Sequence, residues 1–472
     1  MATQMNGEYR FVVVANRLPV DEVIDDDGKR SWTRSPGGLV SALQPIVRGR
    51  GGAWVGWTGG AGEAPEPFEA DGMWLRPVPL SADDVDLYYE GQSNGTIWPL
   101  FHDSVEQPTH RRDWRQAYES VNRRFAEAAA EVAAPDATVW IHDYQLLLAP
   151  AMLRELRPDL RIGFFLHIPF PPVELFMQLP RRADLLRGLL GADLVGFQRP
   201  LAAQNFLQLT ARLLDLKPEQ DHVEYEGRTV TARAFPISID VAEIEGIASD
   251  PAVQAEAQRL REELGGSRRL LLGVDRLDYT KGIEQRLEAY GELLADGAVS
   301  SGDVVLVQVA TPSRLRVAEY QQLRERVERE VGRINGEFGD VGRVPVHYIF
   351  QSRGREDLVA LYLAADVMLV TPLRDGMNLV AKEYVAARQD EQGAMVLSEF
   401  TGAAAELGDA FLVNPYDTED IKRAVMAALE AAPEDLAERM RRMRAQVCAY
   451  DIDRWAREFL DTLGVPVEAE GA

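Results

Sequence analysis

The sequence predicts an α/β protein whose domains are doubly wound parallel sheets. Its 472 residues are about three times the length of a typical single domain, which favours two large domains. Short runs rich in Val, Ile, Leu and Phe alternate with longer segments of helical period. The runs are continuously apolar, as is typical of parallel strands that helices cover on both faces. Alternation of this kind indicates the α/β class.

Seven apolar runs are predicted strands. They are YRFVVVAN (9–16), TVWIHDY (138–144), RIGFFLH (161–167), DLVGF (193–197), RLLLGVD (269–275), VVLVQVA (304–310) and DVMLVTP (366–372). A weaker region between the two groups, 216–236, is predicted to be a polar turn and hairpin. We therefore expect an N-terminal domain over 1–237 and a C-terminal domain over 238–449.

Composition disfavours several classes of protein. A net charge of −24 and a pI near 4.8 disfavour nucleic-acid or anionic-membrane binding, because either needs a basic face. Cys448 is the only cysteine, so no internal disulfide is expected and a reducing, cytoplasmic location is favoured. The start, MATQMNGEYR, does not resemble a signal peptide, and no apolar stretch reaches the roughly 18 residues of a membrane helix. An acidic surface is still compatible with a homo-oligomer.

Ligands of parallel sheets bind beyond the carboxyl ends of the strands, so the residues after each strand are informative. Arg17 follows the first strand. Gly38 closes a glycine pair that opens a helix, where backbone N–H groups approach a phosphate or sugar readily; the pair is also ordinary turn chemistry. Asp143 and His167 follow the next two strands. Asp143 could instead cap a helix, and His167 could be a buried core histidine.

Two cations, Arg276 and Lys281, lie on one predicted strand-to-helix loop in LGVDRLDYTKGIEQRL. This composition is typical of a diphosphate clamp, although surface ion pairs would give the same pattern. The GxxxxGK[ST] spacing of a P-loop is absent. Arg314 and Arg355 lie near further strand ends, and several arginines along one rim favour an anionic ligand.

The stretch TPLRDGMNLVAKEYVAA, 371–387, follows a buried strand with a turn at Asp375 and Gly376. The N–H groups from Met377 to Leu379 are then predicted to begin a helix, whose positive end favours an anionic oxygen. Glu383 lies one turn in, where a carboxylate could accept hydrogen bonds from a ribose diol. Alternatively, Glu383 pairs with a neighbouring lysine on a capped helix.

Two aromatic residues, Tyr89 and Trp98, lie in DLYYEGQSNGTIWPLFHD. This segment is polar and contains glycine, and it has no helical period. It is therefore as typical of a sugar-binding loop as of ordinary packing.

Nine motifs resemble those of the trehalose-6-phosphate synthases, which are retaining glycosyltransferases of the GT-B architecture. They are VVVANRLP, PGGL, GWTG, SNGTIWPLFH, WIHDYQLLL, FFLHIPFPP, DRLDYTKG, GRINGEFG and TPLRDGMNLVAKEYVA. The motifs follow the family's order, and the resemblance covers the chain from about 9 to 463. The resemblance implies two Rossmann-like doubly wound domains facing across a cleft, the first binding the acceptor and the second the nucleotide-sugar. It also implies a last helix, within 450–472, that crosses back onto the first domain.

The resemblance also assigns roles to matching positions. The acceptor, glucose 6-phosphate, would bind at Arg17, Tyr89, Trp98, Asp143 and Arg314, with the two arginines on its phosphate. The donor would bind at Gly38, Arg276, Lys281, Arg355, Asp375, Gly376, Met377, Asn378, Leu379 and Glu383. The catalytic group would comprise His167, Arg276, Lys281 and Asp375.

The implied reaction transfers glucose with retention from a nucleoside diphosphate glucose, UDP-glucose being favoured, to glucose 6-phosphate. In the implied front-face route, the departing phosphate oxygen takes the acceptor proton, and Arg276 and Lys281 act where other enzymes use a metal. No metal or cofactor is expected, because the acidic triplets at 25–27 and 84–86 are not at strand ends. Two alternatives stay open: a pseudo-glycosyltransferase that joins a nucleotide-activated cyclitol to an amino-cyclitol phosphate, and a non-catalytic sugar-phosphate sensor.

Overall fold

The computed structural model describes residues 8–24, 30–35, 38–104, 108–314 and 316–465. Contacts divide the chain into two compact units. We call them unit 1 (Met1–Ile237 with Asp453–Ala472) and unit 2 (Ser238–Ile452).

The strands of unit 1 form one large sheet and one small ribbon. In chain order they are β1 (Tyr9–Arg17), β2 (Val20–Ile24), β3 (Arg30–Arg34), β4 (Ala53–Trp57), β5 (Phe68–Ala70), β6 (Met73–Pro77), β7 (Ala133–His142), β8 (Arg161–Phe165), β9 (Leu194–Phe197), β10 (His222–Tyr225) and β11 (Arg228–Ala234). Strands β2 and β3 pair with each other, and the other nine form a sheet in the order β10-β11-β9-β8-β7-β1-β4-β6-β5. Strands β2 and β3 are antiparallel, and within the nine-stranded sheet only the edge pairs, β10 with β11 and β5 with β6, are antiparallel.

Strand β1 is where the strand order of the large sheet reverses. It pairs with β4 on one side and with β7, much later in the chain, on the other. Ligands of open α/β sheets bind at such a switch point, outside the carboxyl ends of the strands. Arg17 ends β1 and Asp143 directly follows β7, so the fold brings two predicted site residues to this point.

The helices of unit 1 lie mainly between these strands in the chain. They are α1 (Gly38–Gly49), α2 (Ala82–Asp84), α3 (Trp98–Phe101), α4 (Arg112–Val132), α5 (Ala149–Leu156), α6 (Val173–Phe176), α7 (Arg182–Leu189) and α8 (Pro200–Leu214). A π-helical segment, Val85–Ile97, joins α2 to α3.

Unit 2 contains a six-stranded parallel sheet in the order β14-β13-β12-β15-β16-β17. Its strands are β12 (Arg269–Arg276), β13 (Val304–Thr311), β14 (Val346–Ile349), β15 (Val367–Val370), β16 (Ala394–Ser398) and β17 (Phe411–Val413). Its helices are α9 (Val241–Ser249), α10 (Pro251–Leu260), α11 (Ile283–Ala295), α12 (Ala318–Phe338), α13 (Arg355–Ala364), α14 (Leu379–Ala387), α15 (Thr418–Glu430) and α16 (Pro433–Ala449). This is the Rossmann strand order, with its switch point between β12 and β15.

The last helix, α17 (Ile452–Thr462), packs on the large sheet of unit 1 through aromatic side chains. The rings of Trp455 and Phe459 lie 5.0 and 4.5 Å from the ring of Trp140 on β7. Gly163 on β8 makes room for this contact, because a Cβ there would lie 2.8 Å from Phe459. A bare backbone on the sheet therefore allows the helix to approach closely.

The predicted fold class is confirmed, and all seven predicted strands are present. Of the two alternatives for the segment around Tyr89 and Trp98, the loop is wrong, because α2, the π-helical segment and α3 form one continuous helical stretch from Ala82 to Phe101.

Candidate active site

Arg17 holds its guanidinium group over an aromatic ring at the switch point of unit 1. The guanidinium carbon lies 5.3 Å from the centre of the Trp57 ring. Nη2 donates to Asp21 Oδ1 (2.9 Å) and to the carbonyl of Thr58 (3.2 Å). Gly59, at φ +95°, lies against the same group, and a Cβ there would be 2.3 Å from the guanidinium carbon. The Arg17 side chain is 44% exposed, so its charge remains accessible to an anion.

The structure brings Tyr89 close to Arg17 and buries Trp98 elsewhere. The half-buried Tyr89 makes an edge contact with Trp57, at 5.6 Å between ring centres. Trp98 is 3% exposed and packs against His102 and Tyr144. Trp98 thus has the contacts of a packed core residue, and its predicted contact with acceptor stays a prediction.

The helical stretch that carries Tyr89 is held against α4 by two glycines. A Cβ on Gly91 would lie 2.7 Å from the Trp114 ring, and one on Gly95 would lie 3.1 Å from it. A π-helix is wider than an α-helix and shifts side chains off the 3.6-residue period. This explains why a helical period is not visible in the sequence.

Asp143 takes an unusual backbone conformation directly after β7. Its φ of +74° is uncommon for a residue with a side chain. Asp143 does occupy the N-cap position of a short 3₁₀ turn, Tyr144–Leu146, but its side chain makes no capping bond there. Instead, Oδ1 accepts a hydrogen bond from the backbone N–H of His167 (3.2 Å). Strained residues of this kind are concentrated at functional sites.

His167 forms a ring-to-ring hydrogen bond with His142, at 3.0 Å between His142 Nδ1 and His167 Nε2. Burial lowers the pKa of His167 to about 3. Burial and the neighbouring His167 ring also hold the pKa of His142 well below its usual value. Both rings are therefore neutral near pH 7. Since one ring must donate and the other accept, the tautomer of one histidine determines that of the other.

Gly38 is the first residue of α1. The preceding glycine, Gly37, lies outside the described residues. The approach of Gly38 to a donor phosphate stays a prediction.

The two cations of the predicted clamp follow β12 at the switch point of unit 2. Arg276 is the exposed last residue of β12, and Lys281 ends a 3₁₀ turn. Nζ of Lys281 lies 2.6 Å from Asp375 Oδ2, which follows the neighbouring strand β15. Gly282 then adopts φ +64°, and a Cβ there would lie 2.1 Å from the carbonyl oxygen of Thr371. The close approach of these two backbones brings the lysine and the aspartate together.

Arg314 is buried at the carboxyl end of β13, not exposed on a rim. Its φ is +47°, and it is 8% exposed. Nη1 donates to Asp278 Oδ2 (2.9 Å) and also contacts the hydroxyl of Tyr320. The predicted contact of Arg314 with the acceptor phosphate stays a prediction.

Helix α14 begins later than expected. Its first residue is Leu379, and Asn378 is the N-cap, with its side chain accepting from Ala381 N at 3.1 Å. The prediction that Met377 begins the helix is wrong, because Asn378 has a left-handed φ of +79°. Its amide also donates to Asp375 Oδ2 (3.1 Å). The N-cap therefore ties the turn at Asp375 to the helix start.

The turn residue Gly376 is packed tightly against a second glycine. A Cβ on Gly402 would lie 2.1 Å from the carbonyl oxygen of Gly376 and 2.9 Å from Cα of Met377. This contact fixes the backbone that precedes α14.

Glu383 on α14 has an arginine and a tyrosine as partners. The hydroxyl of Tyr362 donates to Oε2 (3.2 Å), and Arg355 Nη2 lies 3.9 Å from Oε1. Burial raises the pKa of Glu383, and Arg355 partly offsets this effect. The alternative of a lysine partner is wrong for the adjacent Lys382, which pairs with Glu406 at 3.0 Å.

Acidic triplets do not form a metal site in the described part of the chain. Residues 25–27 lie outside it. Ser81 is the N-cap of α2, and Asp84 completes the capping box by accepting from Ser81 N; Asp84 also pairs with Arg124 at 2.7 Å. Among the described residues, no three His, Cys, Asp or Glu side chains are grouped as metal ligands. No helix among them is long and apolar enough to cross a membrane.

Five residues make site contacts that no sequence pattern indicates. They are Gly59, His142, Asp278, Tyr320 and Gly402. Three of them, Gly59, His142 and Asp278, lie inside the motifs quoted above. Their place in those motifs is the one signal in the sequence that could have identified them.

Comparison with known proteins gives a consistent result along the chain. The sequence model of glycosyltransferase family 20 matches residues 9–464. A trehalose-6-phosphate synthase of Mycobacterium sp. (strain KMS) is 59% identical over 97% of this chain and 96% of its own. A synthase structure from Burkholderia xenovorans in complex with glucose-6-phosphate is 34% identical, with a TM-score of 0.88 over 96% of this chain and all of that one. An E. coli structure bound with UDP-2-fluoro glucose is 35% identical, with a TM-score of 0.89 over 97% and 99% of the two chains.

Proposed function

The chain belongs to glycosyltransferase family 20, and we propose that it transfers glucose from UDP-glucose to glucose 6-phosphate, forming α,α-trehalose 6-phosphate and UDP with retention. The similarity to the mycobacterial synthase over nearly the whole chain carries this proposal. The ligands of the Burkholderia and E. coli relatives support the choice of acceptor and of donor nucleotide.

The donor site that we propose lies at the switch point of unit 2. Arg276 and Lys281 bind the diphosphate, and Lys281 is already held by Asp375 at 2.6 Å. An incoming diphosphate would compete for this ammonium group, so the aspartate is released toward the donor glucose. The backbone of Gly376, Met377, Asn378 and Leu379 completes the contact with the donor glucose. These groups lie beyond the carboxyl ends of adjacent strands, as expected for a nucleotide ligand.

The nucleoside is proposed to bind through Glu383 and, nearby, Arg355. Two carboxylate oxygens match a ribose diol, and the bond from Tyr362 orients one of them. Arg355 at 3.9 Å favours the ionised form of the carboxyl group against its burial. Gly38 is proposed to approach the donor phosphate with its backbone.

The acceptor is proposed to bind through Arg17, Tyr89, Trp98, Asp143 and Arg314. Arg17 already lies on the Trp57 ring, so part of its side-chain entropy is lost before ligand binds. Tyr89 makes an edge contact with the same Trp57 ring. A guanidinium with free N–H groups can then take the sugar phosphate in a bidentate manner.

In the chemistry that we propose, the bond from the anomeric carbon to the diphosphate breaks as the acceptor oxygen approaches on the same face. The acceptor proton moves to the departing phosphate oxygen. Arg276 and Lys281 stabilise the charge that develops there, and one such preorganised group contributes roughly 3 kcal/mol. His167 is neutral near pH 7, so it orients a sugar hydroxyl by hydrogen bonding and does not exchange a proton.

A product assay tests the proposal. The purified protein is incubated with glucose 6-phosphate and, separately, UDP-, ADP- or GDP-glucose, and products are read by mass and anomeric NMR. We expect an α,α-linked disaccharide phosphate, formed fastest from UDP-glucose. Binding of glucose 6-phosphate without any product would instead indicate a sensor, and turnover of cyclitol substrates alone would indicate a pseudo-glycosyltransferase.

Two lysine variants provide a matched control. Lys281→Ala removes a clamp cation, and we expect turnover to fall about 100-fold, as for loss of one transition-state donor. Lys422→Ala removes a cation that bonds only surface carboxylates of Glu292, Asp296 and Glu419 in the described contacts, and it should leave turnover unchanged. Equal activity of the two variants would contradict the assignment of the clamp.

We also propose that the protein acts in the cytoplasm. Its single cysteine, Cys448, is exposed, and nucleotide-sugars are intracellular metabolites. Fractionation of the native cells with an antibody to the protein tests this location.

A further inference from the structure

Asp278 lies between the turn that carries Lys281 and the side chain of Arg314, and each of its carboxylate oxygens bonds one of these two sides. Oδ1 accepts from the backbone N–H of Thr280 (3.0 Å) and from its hydroxyl (2.8 Å). Oδ2 accepts from Arg314 Nη1 (2.9 Å) and from the hydroxyl of Tyr320 (2.9 Å). The side chain is fully buried, so four donors satisfy a carboxylate that water does not reach.

The Oδ1 side of Asp278 fixes the loop that carries the diphosphate clamp. Its bonds to Thr280 form the cap of the turn Tyr279–Lys281. The carbonyl of Asp278 also accepts from Lys281 N (3.0 Å), and the carbonyl of Thr280 accepts from Leu373 N (2.7 Å). The position of the Lys281 backbone therefore depends on this carboxylate.

The Oδ2 side fixes the arginine assigned to the acceptor phosphate. Arg314 has φ +47°, a conformation that residues with a side chain adopt at some cost. Its guanidinium group packs over the Tyr320 ring at 5.3 Å. The ion pair with Asp278 and the tyrosine contact together hold this arginine in one orientation.

The charges around Asp278 keep it ionised. Burial by itself would raise the pKa of this carboxyl group. Arg314, Arg276 and Lys281 more than offset that effect and hold the pKa well below its usual value. One anion is thus shared by both predicted phosphate-binding groups.

We propose that Asp278 is a positioning residue that couples the two substrates, so that binding of the donor diphosphate adjusts the position of Arg314 for the acceptor phosphate, and the reverse. This inference rests on the proposed function, because it takes the roles of Lys281 and Arg314 from it. Because one buried carboxylate bonds both sides, a shift of the turn on diphosphate binding is passed to Arg314, and a shift of Arg314 is passed to the turn. The coupling is reciprocal by thermodynamic necessity.

An amide at position 278 cannot satisfy both sides. Asp278→Asn has one acceptor oxygen and one NH₂ donor, and the NH₂ would face either the Thr280 donors or the donors of Arg314 and Tyr320. One of the two bridges must break. The loss of coupling is therefore expected whichever way the amide is oriented.

Asp366→Asn is a matched control in the same unit. Asp366 also holds two arginines, Arg261 at 2.9 Å and Arg269 at 3.1 Å, and it accepts from Leu270 N. It precedes β15, at the opposite end of the strands from Asp278. Both variants lose a carboxylate that bonds arginine and a backbone N–H. Only Asp278 lies between the two predicted phosphate-binding groups.

Calorimetric titration measures the coupling directly. Glucose 6-phosphate is titrated into the full-length protein with and without saturating UDP, and the ratio of the two dissociation constants is the coupling factor. For the wild type and Asp366→Asn we expect UDP to tighten binding about tenfold, a typical coupling factor. Asp278→Asn should reduce the ratio to near one, and its KM for glucose 6-phosphate should rise more than that of Asp366→Asn.

A second variant keeps the test informative if Asp278→Asn does not fold. Tyr320→Phe retains the ion pair but removes one donor to Oδ2, and it should reduce the ratio in the same direction by a smaller factor. An unchanged ratio in a folded Asp278→Asn or in Tyr320→Phe would overturn the inference. A wild-type ratio of one would overturn it as well.

The outcome for the inference is separable from that for the proposed function. A wild type that binds neither UDP nor glucose 6-phosphate contradicts the proposed function. A wild type that makes the disaccharide phosphate while Asp278→Asn behaves as Asp366→Asn contradicts only the role of Asp278.

Discussion

Gly59 lies where any larger residue would displace the guanidinium group of Arg17. A Cβ at this position would be 2.3 Å from the guanidinium carbon, so Gly59→Ala must move Arg17 off the Trp57 ring. We expect the KM for glucose 6-phosphate to rise about tenfold, the equivalent of about 1.4 kcal/mol, with a smaller change in the KM for UDP-glucose. Steady-state kinetics with each substrate varied in turn measures both.

Gly62→Ala is the control for backbone strain. Gly62 also has a positive φ, +115°, but no atom lies within 4 Å of a Cβ there. Both alanines carry the strain of a positive φ, of order 1 kcal/mol or more, and both should lower thermal stability. If the two variants raise the acceptor KM equally, strain and not Arg17 is responsible.

The hydrogen-bonded pair of His142 and His167 makes stability depend on pH. In the unfolded chain each ring takes a proton below about pH 6.5, whereas the folded pKa of His167 is about 3 and that of His142 is also depressed. Each neutral ring therefore makes its full contribution to the free energy of unfolding above pH 6.5. That contribution is lost as the pH falls toward the folded pKa, because the unfolded chain binds the proton more tightly. Each contributes a slope of about 1.4 kcal/mol per pH unit in that window.

His142→Asn should remove one of these slopes. We expect the free energy of unfolding of the variant, from urea titrations between pH 6.5 and 5, to fall less steeply than that of the wild type. Parallel pH profiles for the wild type and His142→Asn would contradict the burial effect.

Among elements, the strands were predictable and the helical stretch around Tyr89 was not. Continuous apolar runs arise because both faces of a parallel strand are covered, and β12 and its neighbour β13 show this pattern. The π-helical segment Val85–Ile97 depends on Gly91 and Gly95 meeting Trp114, a tertiary contact about 20 residues away that no local period reports. Helix α14 begins only at Leu379 because its N-cap, Asn378, has a left-handed φ. Polar composition alone does not predict which residue takes this conformation.

The contact of α17 with the sheet of unit 1 depends on glycine in β8. Gly163→Ala would bring a Cβ to 2.8 Å from Phe459 and 3.0 Å from Leu463, and overpacking of this kind costs roughly 1–3 kcal/mol. We expect the melting temperature to fall by several degrees. In a Phe459→Leu background the smaller side chain should reduce the cost of Gly163→Ala, and a double-mutant cycle measures this difference.

Gly246→Ala serves as the glycine control at the level of elements. Gly246 lies inside α9, and no atom is within 4 Å of a Cβ there. Alanine in a helix interior is favoured over glycine by roughly 0.5–1 kcal/mol, so this variant should be slightly more stable. A Gly163→Ala protein as stable as Gly246→Ala would show that α17 does not pack closely on β8.

At the scale of the whole molecule, the positions of the predicted residues follow from sheet topology. Residues after β1, β7, β12 and β15 fall at the two switch points because ligands of open sheets bind where strand order reverses. Their polar partners were not predictable. A buried carboxylate such as Asp278 has no periodicity, and only the three-dimensional structure shows that it contacts Arg314 from another strand end.

The charge distribution of the chain leads to a last prediction, about metal ions. The net charge is −24, yet Arg276 and Lys281 provide local positive charge at one switch point, where a diphosphate would otherwise need a divalent cation. Asp84 has its oxygens committed to Ser81 and Arg124, so the acidic triplet at 84–86 acts as a helix start. We therefore expect full transferase activity in excess EDTA. Asp84→Asn weakens the capping box with Ser81 and removes the ion pair with Arg124, so it should lower thermal stability, and it should leave the activity ratio with and without EDTA at one. Loss of activity in EDTA that Mg²⁺ restores would contradict the assignment of Arg276 and Lys281 as the groups that stabilise the leaving diphosphate.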